Sequence, residues 1–169
     1  EKDITRLQTI TDRFSKIGSE PVLEKRDIIE DTKNTVDYLQ TRVSQQVVFT
    51  FKAPEHPIYV EINPALHSWT IENLVKNAID AMKGKGSLNI IISELEDIVK
   101  ISITDSGKGI PKNQFTKVFE PGFTTKKRGW GLGLSLTKRI VQEYHKGKIK
   151  VAHSEIGKGT TMQISYKTA

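Results

Sequence analysis

The sequence predicts an α+β fold, a two-layer α/β sandwich with a mixed sheet, preceded by an N-terminal helix. Three observations support this prediction. Segments rich in β-branched and aromatic residues come in pairs, at 47–51 and 58–62, at 87–95 and 98–105, and near the C-terminus. Segments with apolar residues at helical spacing separate these pairs. Strands grouped on either side of long helices are typical of a sheet covered by helices.

Two amphipathic helices are predicted before the first strand. The first covers residues 2–17, where apolar residues recur every three or four positions up to Gly18. The second follows Pro21 and extends to about residue 44, with apolar residues from Ile29 to Val43 on one face. We therefore divide the chain into an N-terminal segment, 1–20, and a domain over 21–169.

The later helices have clearer boundaries. Pro64 behind Asn63 predicts the start of a helix with an N-cap, and the apolar face of that helix runs to Met82. The segment "GLSLTKRIVQEYH" at 133–145 predicts the last helix. It is followed by "KIKVAHS" and "TTMQISYK", which predict a closing pair of strands.

Composition excludes several classes of protein. The 169 residues, of which 36% are hydrophobic and 27% charged, suit one globular domain with a short appendage. No apolar run reaches the length of a membrane span and no signal peptide is evident, so we expect no membrane contact by this chain. The absence of cysteine excludes disulfides and thiolate metal sites. The excess positive charge lies in loops without interleaved aromatics, which argues against a nucleic-acid partner.

A polar stripe follows one side of the helix that starts at Pro64. Asn73, Asn77 and Asp80 are four and three residues apart, so they project from one side, opposite the apolar stripe. Taken alone, this pattern is more typical of a solvated helix face. Carboxamide oxygens are, however, neutral hard ligands that suit a Mg²⁺ ion bound mainly by water and phosphate oxygens.

Two glycine-rich segments follow. In "DSGKGIP" (105–111), Asp105 at a strand end can accept a hydrogen bond from an exocyclic amine, and Gly107 and Gly109 let backbone approach a flat ring. This favours an adenine pocket, with an ordinary turn after a strand as the alternative. The segment "FTTKKRGWGLGLS" (123–135) offers hydroxyls, cations and glycines that could wrap a triphosphate, with a basic surface loop as the alternative. A Walker loop and a G-x-G-x-x-G motif are both absent.

Four ordered motifs together resemble a known family. "NLVKNA" (73–78), "DSGKGIP", "FEPGFTTK" (119–126) and "GWGLGLS" (129–135) are similar to the N, G1, F and G2 boxes of bacterial sensor histidine kinases. These kinases belong to a wider group that includes gyrase, Hsp90 and MutL. The resemblance covers about residues 22–166. It implies an ATP-binding catalytic domain with Mg²⁺ as cofactor, which transfers the γ-phosphoryl group to a histidine for relay to the receiver domain of a response regulator.

The resemblance also implies roles for individual residues. Asn77 would bind Mg²⁺, Asn73 would assist at the phosphates together with Lys126, and Asp105 would bind the adenine amino group. The other residues implied to bind the nucleotide are Asp80, Ala81, Gly107, Gly109, Ile110, Phe119, Thr124, Thr125, Gly129, Gly131, Leu132, Gly133, Leu134 and Thr160.

One departure from the wider group concerns hydrolysis. Its hydrolysing members resemble one another in having a glutamate four residues before the metal-binding asparagine, and here that position is Asn73. Glu72 lies five residues before Asn77 and is poorly aimed as a base. This favours transfer to a histidine over two alternatives, an ATPase or ATP-operated clamp of the same fold, and a non-enzymatic nucleotide-binding module.

The acceptor histidine is expected outside this sequence. None of His56, His67, His145 and His153 is followed by Glu or Asp as the family's acceptor is, and His145 resembles a surface position at a helix end. Residues 1–20 resemble the C-terminal part of the second helix of the dimerisation and phosphotransfer module. We therefore expect the acceptor upstream of residue 1, and the helices of that module as partners in a homodimer. We expect a cytoplasmic location, with a membrane anchor elsewhere in the full-length protein left open.

Overall fold

The structure is a computed structural model that describes residues 21–43, 45–123 and 133–169. In chain order its elements are β1 (Glu24–Asp27), α1 (Ile28–Gln40), β2 (Val47–Lys52), β3 (Tyr59–Ile62), α2 (Pro64–Ala81), β4 (Gly86–Leu95), β5 (Ile98–Asp105), α3 (Gly133–Arg139), β6 (Lys148–Glu155) and β7 (Gly159–Lys167). Short 3-10 turns lie at Lys112–Gln114 and Lys117–Phe119, and a π-helical turn at Ile140–Tyr144 continues α3. The helix predicted over 2–17 lies outside the described residues.

Five of the described strands form one mixed sheet in the order β2-β4-β5-β7-β6. The edge strand β2 pairs with β4 in parallel, and the other neighbours are antiparallel. The predicted hairpin of β4 and β5 pairs Leu88 with Asp105 at one end and Leu95 with Ile98 at the other. The predicted α+β fold with a mixed sheet is confirmed.

The beginning of the domain differs from the prediction. The segment after Pro21 starts as β1, which pairs antiparallel with β3 in a separate two-stranded sheet, and the helix begins only at Ile28. The β1 sequence, Glu-Lys-Arg-Asp, has no strand pattern of its own, so the pairing with β3 imposes the extended conformation. Asp27 then caps α1, because its side chain accepts a hydrogen bond from the Ile29 N–H at 3.1 Å.

The helix α2 begins as predicted. Asn63 Oδ1 accepts the Leu66 N–H at 3.1 Å, and Pro64 occupies the first turn, where its missing N–H costs nothing. The apolar face of α2, with Ile71, Leu74, Val75 and Ala78, is buried against the sheet. Each large side chain buried in this way contributes about 1.5–3 kcal/mol. No helix in the described ranges combines the length and the apolar character needed to cross a membrane.

The opposite face of the sheet is polar. The positions that alternate with the core residues of β5 and β7 are hydrogen-bonded to one another, with Thr104 Oγ1 2.8 Å from Thr161 Oγ1 and Gln163 Nε2 donating to Ser102 Oγ at 3.2 Å. The strands also carry lysines, among them Lys150, so the positive charge is not confined to loops as the sequence predicted. A polar outer face fits a two-layer sandwich with helices on one side only.

A buried polar cluster joins α1, α2 and the C-terminal part of the chain. His67 is fully buried, and its Nε2 lies 2.8 Å from Thr32 Oγ1. His145 is 6% exposed, so the expectation of a surface position was wrong. Its Nε2 accepts the backbone N–H of Asn63 at 3.1 Å, which would otherwise lack a partner at the end of β3. Its other ring nitrogen, Nδ1, lies 3.4 Å from the Tyr166 hydroxyl.

Burial sets the titration of both histidines. It lowers the pKa of His67 to about 3, with a smaller contribution from the neighbouring His145, and it lowers the pKa of His145 to about 4. Because the folded-state values lie below the ordinary value of 6.5, the unfolded chain binds protons more readily at acidic pH. The free energy of unfolding must therefore fall as the pH drops below 6.5.

We predict that His67→Leu flattens this acid dependence. Between pH 4 and 5.5 the slope of the free energy of unfolding against pH should fall by about 1.4 kcal/mol per pH unit, because one proton is no longer taken up on unfolding. Urea unfolding at several pH values measures this slope. The control is Leu66→Ala, which should lower the free energy of unfolding at every pH. It should not change the slope of that free energy against pH. An unchanged slope in His67→Leu would contradict the prediction.

Candidate functional site

Asp105 ends β5 and lies on the core side of the sheet, where it is 8% exposed. Its Oδ1 accepts two backbone hydrogen bonds, from the N–H of Gly107 at 2.8 Å and from the N–H of Thr160 at 3.3 Å. Within the described residues both hydrogen bonds of this carboxylate end at Oδ1, so Oδ2 is available to a ligand that donates. Burial raises the pKa of Asp105, and the two backbone donors oppose that shift.

The loop after β5 packs directly on backbone. A Cβ at Gly107 would lie 2.7 Å from the carbonyl carbon and oxygen of Ala81 at the end of α2, and the Lys108 N–H donates to that oxygen at 3.1 Å. Gly109 has φ +80°, and a Cβ there would overlap the carbonyl oxygen of Glu155. Packing alone therefore requires both glycines, in addition to the closeness to a ring that the sequence predicted.

Ser154 is a residue of this region that the sequence analysis missed. Its hydroxyl accepts the Ile110 N–H at 2.7 Å and donates to the Gly159 carbonyl at 3.0 Å. Since its single proton is used there, the Thr160 hydroxyl, 2.7 Å away, acts as the donor to Ser154. The β6–β7 turn thus fixes the loop that follows Asp105. A serine in a strand near a turn is too common to be recognised as a signal.

The polar stripe predicted on α2 is more exposed than the apolar face of the helix. Asn73 and Asn77 are partly exposed and Asp80 is exposed, while Leu74, Val75 and Ala78 are buried. Glu72 is 9% exposed and forms an ion pair with Lys76 at 3.2 Å, one helical turn away. The geometry therefore directs the Glu72 carboxylate to a neighbour on its own helix.

The start of α3 contacts this stripe. Asn73 Nδ2 lies 2.8 Å from Thr137 Oγ1, and Thr137 Oγ1 donates to the Gly133 carbonyl at 2.7 Å. A Cβ at Gly133 would lie 2.7 Å from Asn73 Oδ1, so a larger residue there would require the Asn73 side chain to shift. Thr137 is fully buried and was not predicted, because a threonine at an apolar position of a helix gives no signal in the sequence.

The described site residues form two groups. Asp105, Gly107, Gly109, Ile110 and Thr160 gather at the end of β5, and Asn73 meets Gly133 where α2 and α3 are in contact. The helix α2 connects the two groups, because it carries the asparagines and its Ala81 packs on Gly107.

Two further predicted residues, Phe119 and Leu134, lie in or against the hydrophobic core. Phe119 is buried in the core with Lys138 Nζ 5.9 Å from its ring centroid, and Leu134 packs against the core. Six of the predicted residues lie outside the described ranges: Thr124, Thr125, Lys126, Gly129, Gly131 and Leu132.

The donor set determines which cation this region could hold. Within 21–43, 45–123 and 133–169 no group of three or more His, Cys, Asp or Glu side chains forms a metal site. The polar stripe of α2 instead carries two carboxamides, Asn73 and Asn77, followed by the carboxylate of Asp80. Neutral oxygen ligands of this kind suit Mg²⁺ when phosphate oxygens supply the remaining ligands.

The chain resembles known proteins over most of its length. Residues 65–169 match the model of the family described as histidine kinase-, DNA gyrase B-, and HSP90-like ATPase. The sensor histidine kinase ZraS of Escherichia coli is 40% identical over 121 residues, which cover 72% of this chain and 26% of the relative. Sporulation kinase E of Bacillus subtilis is 32% identical over 171 residues, covering 96% of this chain and 22% of the relative. The chain thus spans about a quarter of the length of these curated relatives.

Solved structures of histidine kinases resemble the fold of this chain. The catalytic domain of the histidine kinase ThkA, in a nucleotide-free form, has a TM-score of 0.77 and 27% identity, covering 86% of this chain and 95% of that chain. ThkA in complex with the response regulator protein TrrA has a TM-score of 0.78 and 26% identity, covering 99% of this chain and 49% of that chain. The fold is that of histidine kinase catalytic domains, and the chain belongs to the family of histidine kinase-, DNA gyrase B-, and HSP90-like ATPases.

Proposed function

We propose that this domain binds Mg²⁺-ATP and transfers the γ-phosphoryl group to a histidine of a dimerisation and phosphotransfer module, for relay to a response regulator. The observation that carries the proposal is the buried Asp105 carboxylate, which is fixed by two backbone donors at Oδ1 and open at Oδ2. Family membership supports ATP as the nucleotide, and the sensor kinases among the relatives support the phosphotransfer.

The adenine end of the site follows from the chemistry of Oδ2. A carboxylate oxygen only accepts hydrogen bonds, so it favours the 6-amino group of adenine and opposes the 6-carbonyl of guanine. The raised pKa of Asp105 makes a donating ligand more valuable, because a second hydrogen bond to the charged form offsets the cost of burial. The backbone of Gly107 and Gly109 would line the ring.

At the phosphate end of the site, the proposed ligand-binding residues are Asn73 and Asn77 of α2. Asn77 would hold Mg²⁺ together with phosphate oxygens, and the ion, when bound, would neutralise charge on the transferring group. Asn73, beside the start of α3, would assist at the phosphate end of the site. In the transfer the bond between the γ-phosphorus and the β,γ-bridging oxygen breaks, a bond from phosphorus to an imidazole nitrogen forms, and ADP leaves.

The acceptor is a histidine outside residues 1–169. His67 and His145 are buried, and each makes a hydrogen bond inside the domain through its Nε2. His56 and His153 are exposed, but His56 is 3.0 Å from the Glu94 carboxylate, and neither is followed by Glu or Asp as the family's acceptor is. The helices that carry the acceptor are therefore the first partner of this domain. The second is the receiver domain of a response regulator, as in the ThkA–TrrA complex.

Hydrolysis is the weaker candidate for the reaction. A hydrolytic site needs a carboxylate that activates water next to the γ-phosphate. Glu72, the acidic residue directly before the 73–78 motif, is 9% exposed and forms an ion pair with Lys76. We therefore propose transfer to histidine as the reaction rather than release of phosphate to water.

We predict that the domain selects ATP over GTP through Asp105. Calorimetry should show Mg²⁺-ATP bound more tightly than Mg²⁺-GTP. Asp105→Asn should cost about 1–3 kcal/mol of ATP binding, because it replaces a charge-assisted hydrogen bond with a neutral amide. Asp97→Asn, on the exposed turn between β4 and β5, is the matched control and should bind ATP like the wild type. Equal affinity for ATP and GTP in the wild type would contradict the proposed site.

We also predict that residues 1–169 alone bind ATP without phosphorylating themselves. Incubation with γ-labelled ATP should leave no acid-labile label on this chain, because none of its histidines has the sequence context of the family's acceptor. A chain extended towards its N-terminus through the dimerisation module should become labelled under the same conditions. Strong acid-labile label on the shorter chain, lost in His56→Gln or His153→Gln, would contradict this assignment of the acceptor.

A further inference from the structure

The side chain of Thr137 lies between the two elements that form the phosphate end of the proposed site. Thr137 is fully buried in α3, and its hydroxyl contacts both Asn73 Nδ2, at 2.8 Å, and the carbonyl oxygen of Gly133, at 2.7 Å. The first contact reaches α2 and the second reaches one turn back along α3. A single hydroxyl therefore joins the asparagine to the start of the helix that faces it.

The donors and acceptors of Gly133, Thr137 and Asn73 determine the orientation of the Asn73 carboxamide. The carbonyl of Gly133 can only accept, so the one proton of the Thr137 hydroxyl is directed to it. The hydroxyl oxygen can then only accept from Asn73, which requires the NH₂ group of the carboxamide on that side. The opposite orientation would place two acceptors against each other at 2.8 Å.

The carboxamide oxygen consequently faces the start of α3. A Cβ at Gly133 would lie 2.7 Å from Asn73 Oδ1 and 3.1 Å from Asn73 Nδ2, so the carboxamide packs on the start of α3 with its oxygen as the nearer atom. An oxygen presented there suits a cation or a water molecule bound to a cation. It repels phosphate oxygens, which are acceptors themselves.

We propose that Thr137 is a positioning residue, whose hydroxyl holds the Asn73 carboxamide with its oxygen towards the hydrated Mg²⁺ of the nucleotide. The proposal rests on the proposed function and adds to it that Asn73 meets the ligand through the metal rather than through phosphate. Without the hydroxyl, the carboxamide is free to turn, and the NH₂ group in place of the oxygen would oppose the cation.

Thr137→Val tests the proposal, because valine has nearly the same shape as threonine and lacks the hydroxyl. Calorimetry should show Mg²⁺-ATP bound about fivefold more weakly than by the wild type, with ATP in EDTA bound equally by both. Thr137→Ser keeps the hydroxyl and should restore the Mg²⁺-dependent affinity. In an Asn73→Ala background, Thr137→Val should cause no further loss, since no carboxamide remains to be positioned.

Thr70→Val is the matched control for a purely structural effect. Thr70 is also fully buried, and its hydroxyl donates to the Leu66 carbonyl at 2.9 Å one turn back along α2, with no hydrogen bond to Asn73 within the described residues. Thermal unfolding should show similar losses of stability in Thr70→Val and Thr137→Val, and only the latter should lose Mg²⁺-dependent affinity.

Three results would overturn the proposal. One is wild-type affinity for Mg²⁺-ATP in Thr137→Val. Another is a loss that is equal with Mg²⁺ and with EDTA, or that persists in the Asn73→Ala background, because either would mean that Thr137 only supports the fold. The third is a wild-type chain that binds no ATP at all, which would remove the proposed function as well. The wild-type titration therefore distinguishes failure of the function from failure of the positioning role.

Discussion

The candidate site depends on the buried carboxylate of Asp105, whose two oxygens differ in their hydrogen bonding. Oδ1 of Asp105 accepts the N–H groups of Gly107 and Thr160, so it ties the end of β5 to the loop that follows and to the neighbouring strand β7. A charged oxygen at this depth is tolerable because backbone donors stabilise it. Oδ2 can still accept a hydrogen bond. The hydrogen bonds that hold the loop at Oδ1 therefore also fix the position of Oδ2, where a ligand could donate to it.

The helix α2 links this carboxylate to the asparagines. One face of α2 is buried in the core with Leu74 and Val75, which fixes the rotation of the helix about its axis. That rotation places Asn73 against the start of α3, while Ala81 at the C-terminal end of α2 packs on Gly107. Because 1.5 Å of rise separates successive residues, the two contacts lie about 12 Å apart along the helix, a span suited to a base and its phosphates.

Local signals in the sequence predicted those parts of the fold that local physics determines. The cap of α2 at Asn63 and the strand pair β4–β5 follow from N-cap chemistry and β-branched residues, and the structure confirms both. Pairing partners were not predictable in the same way: β1 is extended only because β3 lies beside it. The positions of Asp105 and Asn73 were read from motifs, whereas Ser154 and Thr137 act through contacts between distant segments and leave no pattern in the sequence.

The most direct test of the central claim compares ATP with purine riboside triphosphate, which carries hydrogen in place of the 6-amino group. Calorimetry with the wild-type chain and Mg²⁺ isolates the contact between that amino group and Asp105, since the sugar, phosphates and ring shape are unchanged. Loss of a hydrogen bond to a charged group predicts about tenfold to one-hundredfold tighter binding of ATP. Equal affinity for the two triphosphates would show that Asp105 Oδ2 does not read the base, and the proposed site would be wrong.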